Sequence, residues 1–235
     1  MRIRYAQLRR HLLLDVVYDG ATVVHTTDVP GFPATTSAPG TNGDLCVAKM
    51  AGYRTPVALV YTLAGACCGA VLVVAYPNPS GKYAVRDFVS SGVAPFRVDL
   101  LGRSLAIVGG DPRFSFLFTD GAGSASPVRV ERLEDGRLVD VSRHFPQVLA
   151  ADASRLTAST HSQAYQVDRV WAFIGELNAW VADECRLGKG SPAWKATQQA
   201  VDHGRYRHWM AKNEPHYLSQ LKADLVRWGY CPSAR

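Results

Sequence analysis

The chain has 235 residues, 47% of them hydrophobic and 20% charged, with a formal net charge of +6 and a pI near 9.2. This length can bury a large core, so one big domain or two small ones fit equally well. The arginines are scattered rather than gathered on one face or helix, which is not the pattern of a nucleic-acid binder, and no apolar run is long enough for a membrane span.

The N-terminus, Met1 to Asp19, carries the basic residues of a signal peptide. Its apolar core is only Leu12, Leu13 and Leu14 before Asp15 interrupts it, so no signal peptide is visible in this chain. His11 to Asp19, Gly20 and Ala21 to His25 read as an opening hairpin, and the Pro-, Gly-, Thr- and Ser-rich Asp28 to Asn42 as a loop. Strands are predicted over Asp44–Met50, Pro56–Leu63, Cys68–Tyr76, Lys82–Val89 and Phe96–Leu100, with a turn at Pro77–Gly81. Gly69–Tyr76, the most hydrophobic run, suits a buried strand.

Ser104–Val108 continues the pattern until Gly109–Pro112 breaks it. Arg113–Phe118 alternates, which predicts a strand with Phe114, Phe116 and Phe118 on one face. Val128–Leu133 and Arg137–Val141 flank Glu134-Asp135-Gly136, a strong hairpin signal. Short strands at this spacing imply sandwich or propeller-like sheets.

From Phe145 the periodicity becomes helical. Val170, Phe173, Ile174, Leu177, Val181 and Cys185 share one stripe, ended by Leu187–Gly190. Ser191-Pro192 reads as an N-cap followed by a first-turn proline. Leu218, Leu221, Leu225 and Trp228 form a second stripe ended by Gly229, and Val148–Tyr165 is read as partly helical. The expected fold is therefore α+β: an N-terminal antiparallel β domain over residues 1–144 and a small C-terminal helical bundle over residues 145–235.

The five cysteines are Cys46, Cys67, Cys68, Cys185 and Cys231, and none has metal-site spacing. A bridge between Cys185 and Cys231 would close a loop of about 46 residues and stabilise by about 4 kcal/mol in the chain-entropy model. The alternative is five buried thiols in a reducing compartment. The oxidised reading is preferred because Cys231 lies in a Cys-Pro-Ser tail with little core to join. On a strand the neighbours Cys67 and Cys68 face opposite ways, so only one of them can pair with Cys46.

Three stretches carry a family resemblance: Leu63–Cys68, Asp111–Phe114 with Ser124–Val128, and Asp135–Arg143. Through them the chain resembles a group of actinobacterial exported proteins of uncharacterised function, related to the FG-GAP and VCBS-type repeats of β-propellers. The resemblance covers about the middle half of the chain and implies a secreted β-rich protein without a known activity. Calcium-binding loops of that family are rich in carboxylates. Here Lys49–Pro56 has none and Asp99–Ala106 keeps only Asp99, so no metal and no cofactor are expected.

Among candidate sites, His203–Trp209 is the one basic-aromatic cluster. Arg205 and Arg207, with Lys212 beyond them, could grip phosphates while Tyr206 and Trp209 stack on bases or sugars. The competing reading is a helix connector whose aromatics cap the bundle. Asp111 and Asp120 flank the Phe-rich segment as further contact candidates, though aspartates in turns are ordinary. No catalytic motif is present: Gly121–Ser126 is no nucleophile elbow, and Ser159–Ser162 sets a histidine beside hydroxyls without triad geometry. The reading is a non-enzymatic extracytoplasmic binding or adaptor module whose partner is another protein or an envelope component. The alternative is a hydrolase acting on cell-envelope or carbohydrate material, with acids drawn from Asp111, Asp120 and Glu131.

Overall fold

The computed structural model describes residues 2–8, 11–18, 21–30, 32–33, 45–50, 52–64, 69–91, 96–101, 104–163 and 169–232. Twelve strands are described: β1 (Arg2–Leu8), β2 (His11–Tyr18), β3 (Ala21–Pro30), β4 (Phe32–Pro33), β5 (Leu45–Ala48), β6 (Val57–Ala64), β7 (Gly69–Pro77), β8 (Tyr83–Ser91), β9 (Arg97–Leu101), β10 (Ser104–Gly110), β11 (Val128–Glu134) and β12 (Arg137–Asp140). Five helices follow: α1 (Pro146–Gln163), α2 (Val170–Arg186), α3 (Gly190–His203), α4 (Arg207–Asn213) and α5 (Tyr217–Arg227). The chain is α+β, with antiparallel strand pairs first and a helical bundle after them.

The chain forms two compact units, and they interleave in sequence. One comprises residues 1–110 and 129–141, the other residues 111–128 and 142–235. The break expected at residue 144 is thus crossed by an excursion: residues 111–128 belong with the helices.

In the β unit, β1-β2-β3 form a three-stranded sheet, β12-β11-β10-β9 a four-stranded sheet, and β4-β6-β7-β8, with β5 also on β6, a five-stranded sheet. The expected hairpin of β2 and β3 is present, and β1, which sequence reading missed, adds in antiparallel register from Arg2↔Val17 to Leu8↔His11. Strand β7 is buried along Val71–Tyr76 on both faces, which is why this run reads as continuously apolar rather than alternating. Its Leu72, Val74 and Tyr76 join Val57, Leu59, Ile107 and Leu133 in one core. The β11–β12 hairpin turns at Asp135-Gly136, both in the left-handed region (φ 47° and 72°), as a two-residue turn of this hand requires. A Cβ at Gly136 would lie 1.9 Å from the Tyr76 hydroxyl, so glycine is needed there twice over.

The predicted strand at Arg113–Phe118 is not one. The Asp111 carboxylate accepts the Arg113 N–H, Pro112 sits at the first position, and Pro112–Phe114 winds into a 3₁₀ turn. Phe116 and Phe118 then take left-handed backbone (φ 61° and 56°), which ends any alternation. Only Phe114 is buried; Phe116 is exposed.

In the helical unit α2 is central, with residues on nearly every face buried, so its apolar stripe is only part of what it hides. Helix α3 begins at Gly190 with Lys189 at the cap position, so Ser191 is not the predicted N-cap. Cys185 and Cys231 are bonded, S–S 2.13 Å, with Cα atoms 4.9 Å apart. The bridge ties the end of α2 to the residues after α5. Cys46 lies on β5 opposite Leu59, whereas Cys67 and Cys68 fall outside the described residues, and so does their pairing.

Candidate functional site

Helices α1, α2 and α3 and the turn after α3 enclose a cleft of about 350 Å³. Thr157 and Thr160 come from α1, Phe173, Leu177 and Trp180 from α2, Ala196 and Ala200 from α3, and Gly204, Arg205 and Tyr206 from the turn. Phe173, Leu177 and Trp180 fall at i, i+4 and i+7 and so share one face of α2. Ala196 and Ala200, one helical turn apart, leave the space that larger side chains would fill. Both threonine hydroxyls donate to carbonyls of their own helix, Thr157 to Ala153 at 2.9 Å and Thr160 to Leu156 at 2.7 Å. The walls are thereby left largely apolar. At Gly204 a Cβ would stand 2.1 Å from the Ala200 carbonyl oxygen, so only glycine lets the chain turn this closely behind the cleft.

The structure divides the predicted basic-aromatic cluster. Tyr206 is buried with its ring 5.2 Å from that of Phe173, and exposed Arg205 stands at the cleft. Arg207 is exposed on a separate groove of about 530 Å³ between α3, α4 and α5, beside Asp202, His208 and Glu214. Trp209 packs edge-on against Trp171, centroids 4.8 Å apart. Two of the four residues therefore meet at one site, and two do not.

The candidate acids are held by local structure. Asp111 is fully buried; its oxygens accept Arg113 Nε at 3.1 and 3.0 Å and Nη2 at 2.5 Å, and the Tyr230 hydroxyl donates to it at 2.7 Å. Burial opposes the Arg113 charge, but its hydrogen bond and ion pair with Asp111 hold its pKa above the usual arginine value. Asp120 is exposed and caps its own turn, accepting the Gly123 N–H at 2.6 Å. Glu131 is buried in the β unit and paired with Arg129 at 2.7 Å. Among the described residues, no group of three or more His, Cys, Asp or Glu is placed to hold a metal ion.

Sequence reading missed a polar seam between α1 and α2. Ser159 donates to Glu176 Oε1, and Asp152 accepts Arg155 Nη2 at 2.7 Å and the Val128 N–H at 3.1 Å. Asp183 is fully buried, and neither of its oxygens has a nitrogen or hydroxyl donor. What it meets is the Asp152 carboxyl. Burial, then the Asp152 charge, push the Asp183 pKa well above the ordinary aspartate range. Burial also raises Glu176, against its Ser159 hydrogen bond and the charges of Arg155 and Arg169.

No family model matches the chain, and no solved structure matches it. It is similar to a probable thylakoid lumen protein of Synechocystis sp., 26% identical over 204 residues that cover 76% of this chain. The chain spans 57% of the length of that relative.

Proposed function

We propose that the protein is a non-enzymatic extracytoplasmic binding module whose helical cleft holds the apolar part of a small ligand. The carrying observation is the cleft itself. Its volume of about 350 Å³ lies within the range of small-molecule pockets, and Phe173, Leu177, Trp180 and Tyr206 give it an aromatic and aliphatic wall. Such a wall binds by removing apolar surface from water, and its threonines have no hydroxyl proton to spare for acid–base chemistry. Two things support an extracytoplasmic location: the Cys185–Cys231 bridge and the similarity to a probable thylakoid lumen protein of Synechocystis sp..

The test is a titration with N-phenyl-1-naphthylamine, an uncharged apolar fluorophore. Saturable fluorescence enhancement with energy transfer from tryptophan is expected. Ala200→Trp, which fills the cleft, should abolish it while the chain still melts cooperatively. Enhancement that survives Ala200→Trp would place the probe elsewhere and overturn the reading.

A further inference from the structure

The helices that wall the cleft are also the two that carry the buried carboxyl pair. α1 gives Thr157 and Thr160 to the cleft and Asp152 to the seam; α2 gives Phe173, Leu177 and Trp180 to the cleft and Asp183 to the seam. The packing of these two helices therefore answers to both places.

A carboxyl–carboxyl hydrogen bond exists only while a proton lies between the two groups. The charged groups facing Asp183 are Asp152 and Arg155 from α1 and Arg186 from α2 itself. Neither guanidinium replaces the proton. Arg155 donates to Asp152, through Nε at 2.9 Å and Nη2 at 2.7 Å. Arg186 donates Nη1 to the Val128 carbonyl at 2.7 Å and lies 4.0 Å over the Tyr230 ring. Further along the same interface Glu176 Oε2 is buried without a partner, beside the cleft residue Leu177. Glu176 keeps one donor, Ser159, whereas neither oxygen of Asp183 has any, so Asp183 is the acid of this interface most easily accommodated protonated.

We propose that ligand binding in the cleft is coupled to a proton held between Asp152 and Asp183, so that the site binds under acidic conditions and loosens as the pH rises. This rests on the reading of the cleft as a ligand site. The closed packing of α1 on α2 retains the proton, whereas an opened pair hydrates and releases it. Above the ordinary aspartate pKa of about 3.9 the closed form binds more protons than the open one, so raising the pH favours opening. Once the pair ionises, a second negative charge sits in a dry interface facing the first, and α1 and α2 separate along the wall that Phe173 and Trp180 share with Thr157.

The experiment is the N-phenyl-1-naphthylamine titration repeated at about pH 5 and about pH 8, with the probe uncharged at both. Wild-type affinity should fall by about tenfold or more at the higher pH, the coupling that a one-unit pKa difference produces. In Asp183→Asn the amide donates to Asp152 without titrating, so binding should be equally tight at both values. An infrared carbonyl band of a protonated carboxylic acid should be present in the wild type and missing in the variant. If Asp183→Asn does not fold, Asp152→Asn takes its place with the same expectation. Equal wild-type affinity at both pH values, or a pH dependence that persists in the variant, overturns the proton coupling and leaves the cleft reading intact. Absence of binding at both pH values overturns the cleft reading itself.

Discussion

Two buried aspartates in the helical unit are chemically opposite. Asp111 is fully buried but surrounded by donors: the Arg113 guanidinium, the Arg113 N–H and the Tyr230 hydroxyl. Asp183 is as buried and has none besides the Asp152 carboxyl. Removing the first carboxylate should therefore destabilise, and neutralising the second should not. Asp111→Ala should cost about 2 kcal/mol, read as a lowered midpoint in denaturant unfolding. This is below the range for a fully buried pair because the Arg113 side chain, 38% exposed, can still reach water. Asp183→Asn should instead raise Tm at neutral pH and leave it unchanged near the ordinary aspartate pKa of about 3.9. The sign follows from linkage: a raised native pKa stabilises below the unfolded value, and that contribution is lost as pH rises through the native one. Both residues are visible in the sequence, yet only Asp111 stands out there, because with Asp120 it flanks the Phe-rich segment. Asp183 is hidden within an apolar helical run, and its burial is decided by α1, which no local pattern announces.

Among elements, α2 shows why a stripe underestimates a helix. Periodicity over Val170–Cys185 marks one face for the core, but the helix is covered on others too, so Asn178 and Arg186 are buried as well as Asp183. Asn178 is satisfied by donating to the Leu117 carbonyl at 2.8 Å and accepting from the Tyr217 hydroxyl at 2.7 Å. Phe173 and Leu177 are legible in the sequence as part of the apolar stripe and Trp180 is not, and whether such a face meets a neighbour or borders a cleft depends on the alanines opposite. The segment before the helices was misread for a local reason. Alternation over Arg113–Phe118 looks like a strand, and Asp111 and Pro112 override it by nucleating a turn. At the other end α2 is fixed by Cys185, whose bridge to Cys231 spans 46 residues. Replacing both cysteines with serine should lower stability by about 4 kcal/mol in the chain-entropy model, measured as denaturant midpoint. Wild-type protein treated with reductant should fall by a similar amount. No change on reduction would mean that packing around Tyr230 alone holds the tail.

At the scale of the whole molecule, the sequence shows a β half and a helical half, but not that the chain enters the helical unit early. Residues 111–128 have no helical periodicity, so nothing local assigns them to the bundle. Their partners do. Phe114 sits in the helical core with its ring 5.5 Å from Trp228 and 5.3 Å from Tyr230. Leu117 receives the Asn178 amide, Phe118 packs edge-on against Tyr217 at 5.3 Å, and Thr119 donates to the Trp171 carbonyl at 3.1 Å. Val128 completes the set, donating its N–H to Asp152 and accepting Arg186 through its carbonyl. Gly123 and Gly175 mark how close this segment runs to α2: a Cβ on Gly175 would lie 2.1 Å from the Gly123 carbonyl oxygen. Without residues 111–128, Asn178, Arg186 and Tyr230 each lose a buried hydrogen-bond partner, and each such loss costs about 1–3 kcal/mol. Together these losses are comparable with the whole stability of a small domain. A fragment of residues 145–235 should therefore show helical far-UV signal without a cooperative melt. A fragment of residues 111–235, which carries the β11–β12 hairpin along, should melt cooperatively and bind N-phenyl-1-naphthylamine at acidic pH. A sharp melting transition in the shorter fragment would show that the bundle closes on its own and that residues 111–128 only lie against it.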